Sequence, residues 1–561
     1  MSIYQVLDIS LPMFKILWSS LFIVYAWGSE TIIEPIHYAD GTIDKELINE
    51  RVKGSHIKVF MPSIPYHYIS KLINGTLLRI ADTPQGWEYM MATEYIQIDD
   101  VTYEFALRQG VKFQDGTDFN ADSVVHNFNA FLKKPYTYTD IHNRLKSVEK
   151  INPYRVRFHL YKPYGMFLHD LAAINLYSDT YLQKFTWQGG ATGANTQEAG
   201  NYGLGPYILT QGYAIGRKQT PIITLKANPF YYKSTQPYIE TITIYTQLTA
   251  DESVKMALDK EGELDITPIP FNKKTEATLS PYAKLLTMPS TNNIMIYFNL
   301  MNKKSVLNRK EVRIALNKAI NQPRLLNFVY KNEGQLAPTE ASTNYQSVKE
   351  ASQTLKTYGE TILEQEKEEI KTILSGITLN VLTQDRFMFL WKGIEYQLNQ
   401  FGVQLNYTVT TSEKDIYEQL LTNREEPKAW DLLTWGNDDW FGNHPWTTFF
   451  AYRTTSEWSS IEKDDILQNE IEAFFSYPFQ SSHFQQSVDK IVHHVYDNAY
   501  MLFIPSPNIV LAINKEVSYV PSSVAIMPLW EAKISKNHWS VRKGSYAPEK
   551  LLPMKPLKVI K

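Results

Sequence analysis

Residues 102 to 128 read TYEFALRQGVKFQDGTDFNADSVVHNF, and three structural signals follow one another there without a gap. From Thr102 to Phe113 apolar and polar residues alternate, the period of a half-buried strand, and Gln114-Asp115-Gly116 supplies the tight turn that ends it. Asn120 predicts a helix N-cap, because its short amide oxygen reaches the free N–H groups of a first helical turn. Val124, Phe128, Phe131 and Leu132 come next at helical spacing, giving that helix one apolar face. A second alternating run, Val156, Phe158 and Leu160 against Arg155, Arg157 and His159, closes the unit. The mixture continues outward. IETITIY at 239 to 245 alternates as a strand, while Val312, Ala315, Leu316, Ala319 and Ile320 repeat as a helix face, so the class is mixed α/β.

A chain of 561 residues is too long for one core, and two or three domains are expected. Lys plus Arg is 56 against 59 Asp plus Glu, a net charge of -3, which gives no electrostatic reason to expect nucleic acid or an anionic membrane as partner. Aromatic content is 13%, with 36 Tyr and 12 Trp, large rigid surfaces that suit cores and adaptable binding sites alike. Cysteine is absent, which excludes disulfides, thiolate metal sites, Cys nucleophiles and a lipid anchor on an N-terminal cysteine. The apolar run Ile16 to Trp27 behind Lys15, ending in Ala26-Trp27-Gly28, reads as a secretory signal over residues 1–28, cleaved after Gly28, with Met13 an alternative start. At about twelve residues it is short for a membrane span. An exported, periplasmic protein is expected.

Other segments have plainer readings. Residues 350 to 374, rich in Glu and Lys with Ile362, Leu363, Ile370, Ile373 and Leu374 at helical offsets, predict a solvated helix. WQGGATGANTQEAGNYGLG at 187 to 205 is a Gly-rich loop; its Gly203-Leu204-Gly205-Pro206 lacks the third glycine of a phosphate cradle, with Ile208 in that place. The basic, Pro-rich segment from Pro548 predicts an extended strap.

The stretch LLTWGNDDWFGNHPWTTFF at 432 to 450 carries the candidate chemistry. Asp438 and Asp439 stand among Trp430, Trp435, Trp440 and Trp446, and a carboxylate held by aromatic walls is costly unless a cation or hydrogen-bond donors meet it. A ligand ammonium meets that requirement; a solvated Asn-Asp-Asp turn beside core tryptophans is the plainer alternative. No HExxH, GxSxG, GxxxxGK or calcium-loop pattern occurs, so no catalytic residue, cofactor or metal is expected. His493 and His494 point apart on a predicted helix, and His444 with His483 is the one pair left as a metal candidate, each having an ordinary surface or hydrogen-bonded reading as well.

Read in order, these pieces resemble the large extracytoplasmic solute-binding proteins of peptide and nickel ABC transporters, solute-binding protein family 5. Residues 102 to 128 are similar to that family's strand, Lys-Phe-x-Asp-Gly turn and capped helix. YGLGPYIL at 202 to 209 resembles its crossing segment, ANPFYYKSTQPYIETITIY at 227 to 245 its Asn-x-x-Tyr and strand sequence, and Phe298-Asn299 with NRKEVRIALNKAINQPRLL at 308 to 326 its strand and Arg-Val-Arg helix. The resemblance implies an α/β, two-lobed periplasmic-binding-protein fold with a hinge and an extra subdomain in the first lobe. On that scheme residues 29–72 and 205–297 are segments of lobe one, 73–204 its extra subdomain, 298–510 lobe two, and 511–561 the return to lobe one.

The resemblance also implies a ligand and a site. In the peptide-binding members a Trp supplies a backbone strand edge and an Asp three residues later pairs with the peptide ammonium, a spacing that Trp435 and Asp438 match. Thr434 to Gly436 would receive the peptide as an added strand, with Trp440 nearby and Asp439 the alternative anchor. In the nickel-binding members the residue after Trp-Gly is not acidic, and His and Arg do the recognition; here Asn175 stands near the Arg position and Thr455 to Glu457 contain no His. The expected function is capture of short peptides by a monomeric, non-enzymatic protein and delivery to the membrane subunits of an ABC importer. A nickel or other metal chelate is the alternative ligand, and a secreted hydrolase or a sensory receptor the more distant alternatives.

Overall fold

The computed structural model describes residues 47–543 apart from 63–64, 138, 188–201, 216–217, 412, 422–429, 455 and 457. The expected signal segment and its cleavage site, the C-terminal strap, most of the Gly-rich loop, and Thr455 and Glu457 lie outside the described residues. Among the described residues no helix is long and apolar enough to cross a membrane.

Two sheets organise two lobes, and a third forms a subdomain. The largest has seven strands, in spatial order Ala283–Met288, Ile509–Asn514, Ile266–Pro268, His56–Phe60, Thr241–Tyr245, Ile222–Ala227 and Tyr207–Gln211, drawn from three distant parts of the chain. The second has four, in the order Asn293–Phe298, Leu432–Asn437, Thr378–Gln384 and Gln404–Thr410. Every residue of Asn293–Phe298, NIMIYF, is buried, as a strand covered on both faces requires. The chain therefore passes from the first sheet to the second between Met288 and Asn293, and returns to it at Ile509.

The third sheet, Ala92–Asp99, Thr102–Leu107, Arg155–Leu160 and Leu145–Asn152 in that order, is antiparallel and belongs to the unit that opened the sequence reading. Helix Ala121–Lys133 begins at Asn120, whose side chain accepts from the Asp122 and Ser123 N–H groups while Ser123 returns a bond to the Asn120 backbone. Val124, Phe128 and Phe131 are buried on its inner face. The strand is shorter than expected: it stops at Leu107, because Gly110 takes a left-handed φ of 70° and leads the chain out of the ladder before the Asp115-Gly116 turn. The helix expected across 350 to 374 is two, Gln346–Ala351 and Glu364–Leu374. Between them Gly359 sits against the Ile320 carbonyl with no room for a Cβ, and a continuous helix would lose that contact. At Gly203 and Gly205 a Cβ would overlap the backbone of Ile73 and Asn74, so these glycines let the crossing segment lie directly on the end of helix Pro65–Ile73.

Candidate functional site

Strand Leu432–Asn437 lies inside the four-stranded sheet. It pairs antiparallel with Asn293–Phe298 along its whole length, and parallel with Thr378–Gln384 only at Leu432 and Leu433. Successive side chains point to opposite faces. Trp435 is turned inward, stacked on Trp458 at 5.2 Å and 16° and set edge-on to Phe450, with Trp440 at 6.1 Å. Both tryptophans are part of the core, so their rings do not wall the cleft as the sequence had led us to expect. Thr434 is also buried, its hydroxyl accepting from Trp391 Nε1 at 2.7 Å. Gly436 is half-buried, and a Cβ there would come within 3.1 Å of the Phe387 ring and 3.6 Å of Arg386 Nη2.

The adjacent aspartates part company at the end of this strand. Asp438 lines a cavity of about 290 Å³ with Tyr68, Asn292 and Tyr519, roofed by Phe60 to Pro62 and by Ile266, Pro268 and Ile269 at the ends of two strands of the large sheet. Elements of both lobes thus enclose it. Burial, and then the Asp438 carboxylate, push the Tyr68 hydroxyl well above its ordinary value. A second cavity of about 1670 Å³ continues from it, sharing Phe60, Pro62, Pro268, Ile269 and Phe271, and carries Arg386 in its wall. Arg386 holds Gln384 Oε1 through Nε and Nη2 at 3.1 and 2.8 Å. No sequence signal pointed to Arg386, which reaches Gly436 from the end of a different strand.

Asp439 is fully buried and does not line either cavity. Its carboxylate accepts from Thr291 Oγ1 (2.8 Å), Thr447 Oγ1 (2.9 Å), the Asn443 N–H (2.8 Å) and the Phe441 N–H (3.2 Å). It ties the loop 438–447 to Thr291 in the crossing segment just before strand Asn293–Phe298, while its carbonyl accepts from the Ala525 N–H at 3.1 Å. This loop also meets the subdomain: a Cβ on Gly442 would overlap Gly86, and both glycines have positive φ. The solvated Asn-Asp-Asp turn, the plainer alternative, therefore does not describe Asp439, which is buried.

Burial pushes the Asp439 carboxyl up to about 6, the four donors only partly offsetting it. A carboxyl whose folded value lies above its unfolded one binds a proton more tightly in the native state, so its contribution to stability grows as pH falls from about 6 toward about 4 and is lost on the way back up. Relative to Asp439→Asn, which carries no titration at this position and cancels every other group, wild-type stability should rise by about 2 kcal/mol between about pH 7 and about pH 4.5. Denaturant unfolding at both pH values measures it, and a difference that is flat or falls on acidification contradicts the assignment.

His444 and His483, the one pair left as a metal candidate, have different neighbours. His444 is buried beside His169, ring centroids 4.7 Å apart, and stacks on Phe479, whereas His483 lies against Tyr477. Burial lowers His444 well below its ordinary value and His169 to about 3, so both rings are neutral. His494 bonds Asp464 at 2.6 Å. Asn175 is buried and donates to Ser70 Oγ, away from both cavities. Among the described residues no group of three or more His, Cys, Asp or Glu is placed to hold a metal ion.

Comparison with known proteins gives this geometry its context. Residues 87–460 match the family model described as bacterial extracellular solute-binding proteins, family 5 Middle. The glutathione-binding protein GsiB of Escherichia coli K12 is 31% identical over 250 residues, which cover 43% of this chain and 45% of that relative. The match thus spans less than half the length of the relative. Among solved structures, the oligopeptide-binding protein AppA of Bacillus subtilis with a nonapeptide superposes with a TM-score of 0.70 at 17% identity, covering 87% of this chain and 100% of that one. DppA of Helicobacter pylori with the peptide STSA gives 0.70 at 16%, covering 87% and 99%. NikA of Staphylococcus aureus with Ni(L-His)2 gives 0.69 at 16%, covering 86% and 100%. At these identities the structural likeness is one of fold, the two-lobed periplasmic-binding-protein fold.

Proposed function

Because the chain belongs to the bacterial extracellular solute-binding proteins of family 5, we propose that it captures a short peptide between its two lobes outside the cytoplasm and delivers it to the membrane subunits of an ABC importer, with no chemistry of its own. The observation that carries this reading is the place of Asp438: a carboxylate in a cavity enclosed by both lobes, two residues beyond Gly436, beside which the Arg386 guanidinium lies. A zwitterionic ligand fits such a line of groups. Its ammonium meets Asp438, its backbone runs along Gly436, which has no side chain of its own, and a carboxylate of a short peptide meets Arg386. Asp439 is assigned to the fold, and Trp435, Thr434 and Trp440 support the strand from within.

Closure follows from the same placement. Only a closed pair of lobes brings Phe60 to Pro62 and Asp438 against one ligand, so the ligand's differential contacts favour that state. We assign the lobes by the sheets, with crossings at 289–292 and at 508, and the subdomain to the antiparallel sheet.

Calorimetry with a short peptide such as Ala-Phe-Ala and its N-acetylated form tests the proposal: the free peptide should bind and the acetylated form should not. Equal binding of the two would remove the role of Asp438. Arg386→Gln should weaken the free peptide by about 1 to 2 kcal/mol, since it removes a charge-assisted bond at a partly exposed wall. An unchanged affinity would take Arg386 out of the site.

A further inference from the structure

The large cavity has a wall whose chemistry the peptide reading leaves unexplained. It is built from helices Gln322–Phe328 and Met388–Asn399, which approach closely because Gly393 has no side chain; a Cβ there would stand 2.6 Å from Val329 Cγ2 and 3.0 Å from Leu325 Cδ2. On the first helix Arg324 and Phe328 are one turn apart; on the second Phe389, Lys392 and Tyr396 share a face. All five line the cavity, as does Lys331.

Two features set this wall apart. Phe328 is 72% exposed, Tyr396 68% and Phe389 42%, three aromatics gathered around one hollow, and such a cluster marks a binding groove. Among the described residues, Arg324, Lys331, Arg386 and Lys392 take part in no ion pair. The one carboxylate in the same wall, Asp385, accepts from the Arg386 N–H at 2.7 Å and stands against four cations. Cations concentrated in a cleft with apolar walls raise the local potential and favour ligands of the opposite sign.

We infer that this cleft selects peptides that carry net negative charge and a large apolar side chain, with Arg324, Lys331 and Lys392 reading the acidic groups and Phe328, Phe389 and Tyr396 the apolar one. The inference rests on the peptide reading of the cleft and goes beyond it: Asp438 and Gly436 recognise any free N-terminus and backbone, whereas this wall distinguishes one peptide from another. It lines the cavity that continues from the one holding Asp438, which leaves it for the residues after the first.

Four tetrapeptides separate the elements: Ala-Phe-Glu-Glu, Ala-Phe-Gln-Gln, Ala-Phe-Lys-Lys and Ala-Gly-Glu-Glu, each titrated calorimetrically into the full protein. Ala-Phe-Glu-Glu should bind about tenfold or more tighter than its Gln counterpart, with Ala-Phe-Lys-Lys weakest, and the margin should shrink in about 0.5 M salt. Replacing Phe by Gly should cost about tenfold. With Arg324→Gln, Lys331→Gln and Lys392→Gln combined, the ratio of Glu to Gln peptide should fall close to one. Equal binding of the Glu and Gln peptides by the wild type, or a ratio that survives the triple substitution, overturns the inference while leaving peptide capture intact. Failure of all four to bind overturns the peptide reading and this inference with it.

Discussion

Asp438→Asn should leave the protein folded and weaken peptide binding by about 2 to 5 kcal/mol, the cost of leaving one partner of a desolvated charge pair without the other. Asn keeps the size and shape of the side chain, so the cavity with Tyr68, Asn292 and Tyr519 is preserved and only the charge is removed. The ammonium of a bound peptide would then be enclosed by the tyrosines and the apolar ends of the large sheet with no counter-ion. Calorimetry with one peptide on wild type and variant, with circular dichroism to establish equal folding, gives the number. A loss below about 1 kcal/mol is what a solvent-screened pair would show, and it would place the ammonium elsewhere.

The neighbouring residue should behave in the opposite way. Asp439→Ala removes an acceptor shared by two hydroxyls and two backbone N–H groups, all inside the fold. Stranding buried donors costs more than the bonds themselves are worth, and the loop 438–447 loses its tie to Thr291. Global stability should fall by about 2 to 4 kcal/mol, read from denaturant unfolding without ligand. If stability is unchanged and peptide affinity drops instead, the two aspartates have exchanged roles and Asp439 is the anchor.

These two positions also show what the sequence could and could not reveal. Asn120, the helix behind it and the strand Arg155–Leu160 were legible because their signals are local: a cap three residues from its partner, a period of two, a period of 3.6. The strand that opens at Thr102 was legible in existence and wrong in its end, since Gly110 breaks it through a backbone conformation that alternation does not encode. The aspartate pair stood out in the sequence, but which carboxylate turns inward depends on Thr291 and Thr447, the first of them in the distant crossing segment before strand Asn293–Phe298. A one-residue choice at the end of a strand exchanges the core face for the cleft face.

Groups contributed from afar were out of reach for the same reason. Arg386 follows a different strand and is brought to Gly436 only by the sheet, and His169 meets His444 only where the subdomain packs on the second lobe. The wall of the large cavity did leave a trace. Phe389, Lys392 and Tyr396 place two aromatics and a cation on one helical face, a pattern visible in the sequence at helical spacing.

The central claim is that the occupant of the cleft is a peptide held by its ammonium. Native mass spectrometry of the protein isolated, without added ligand, from the cells that make it tests this most directly, because the bound species is weighed as it leaves the site. The account predicts one or more peptides with free N-termini, released on unfolding and absent from Asp438→Asn purified in parallel. A nickel or other metal chelate in their place, recognised by its isotope pattern and retained by the variant, would contradict it.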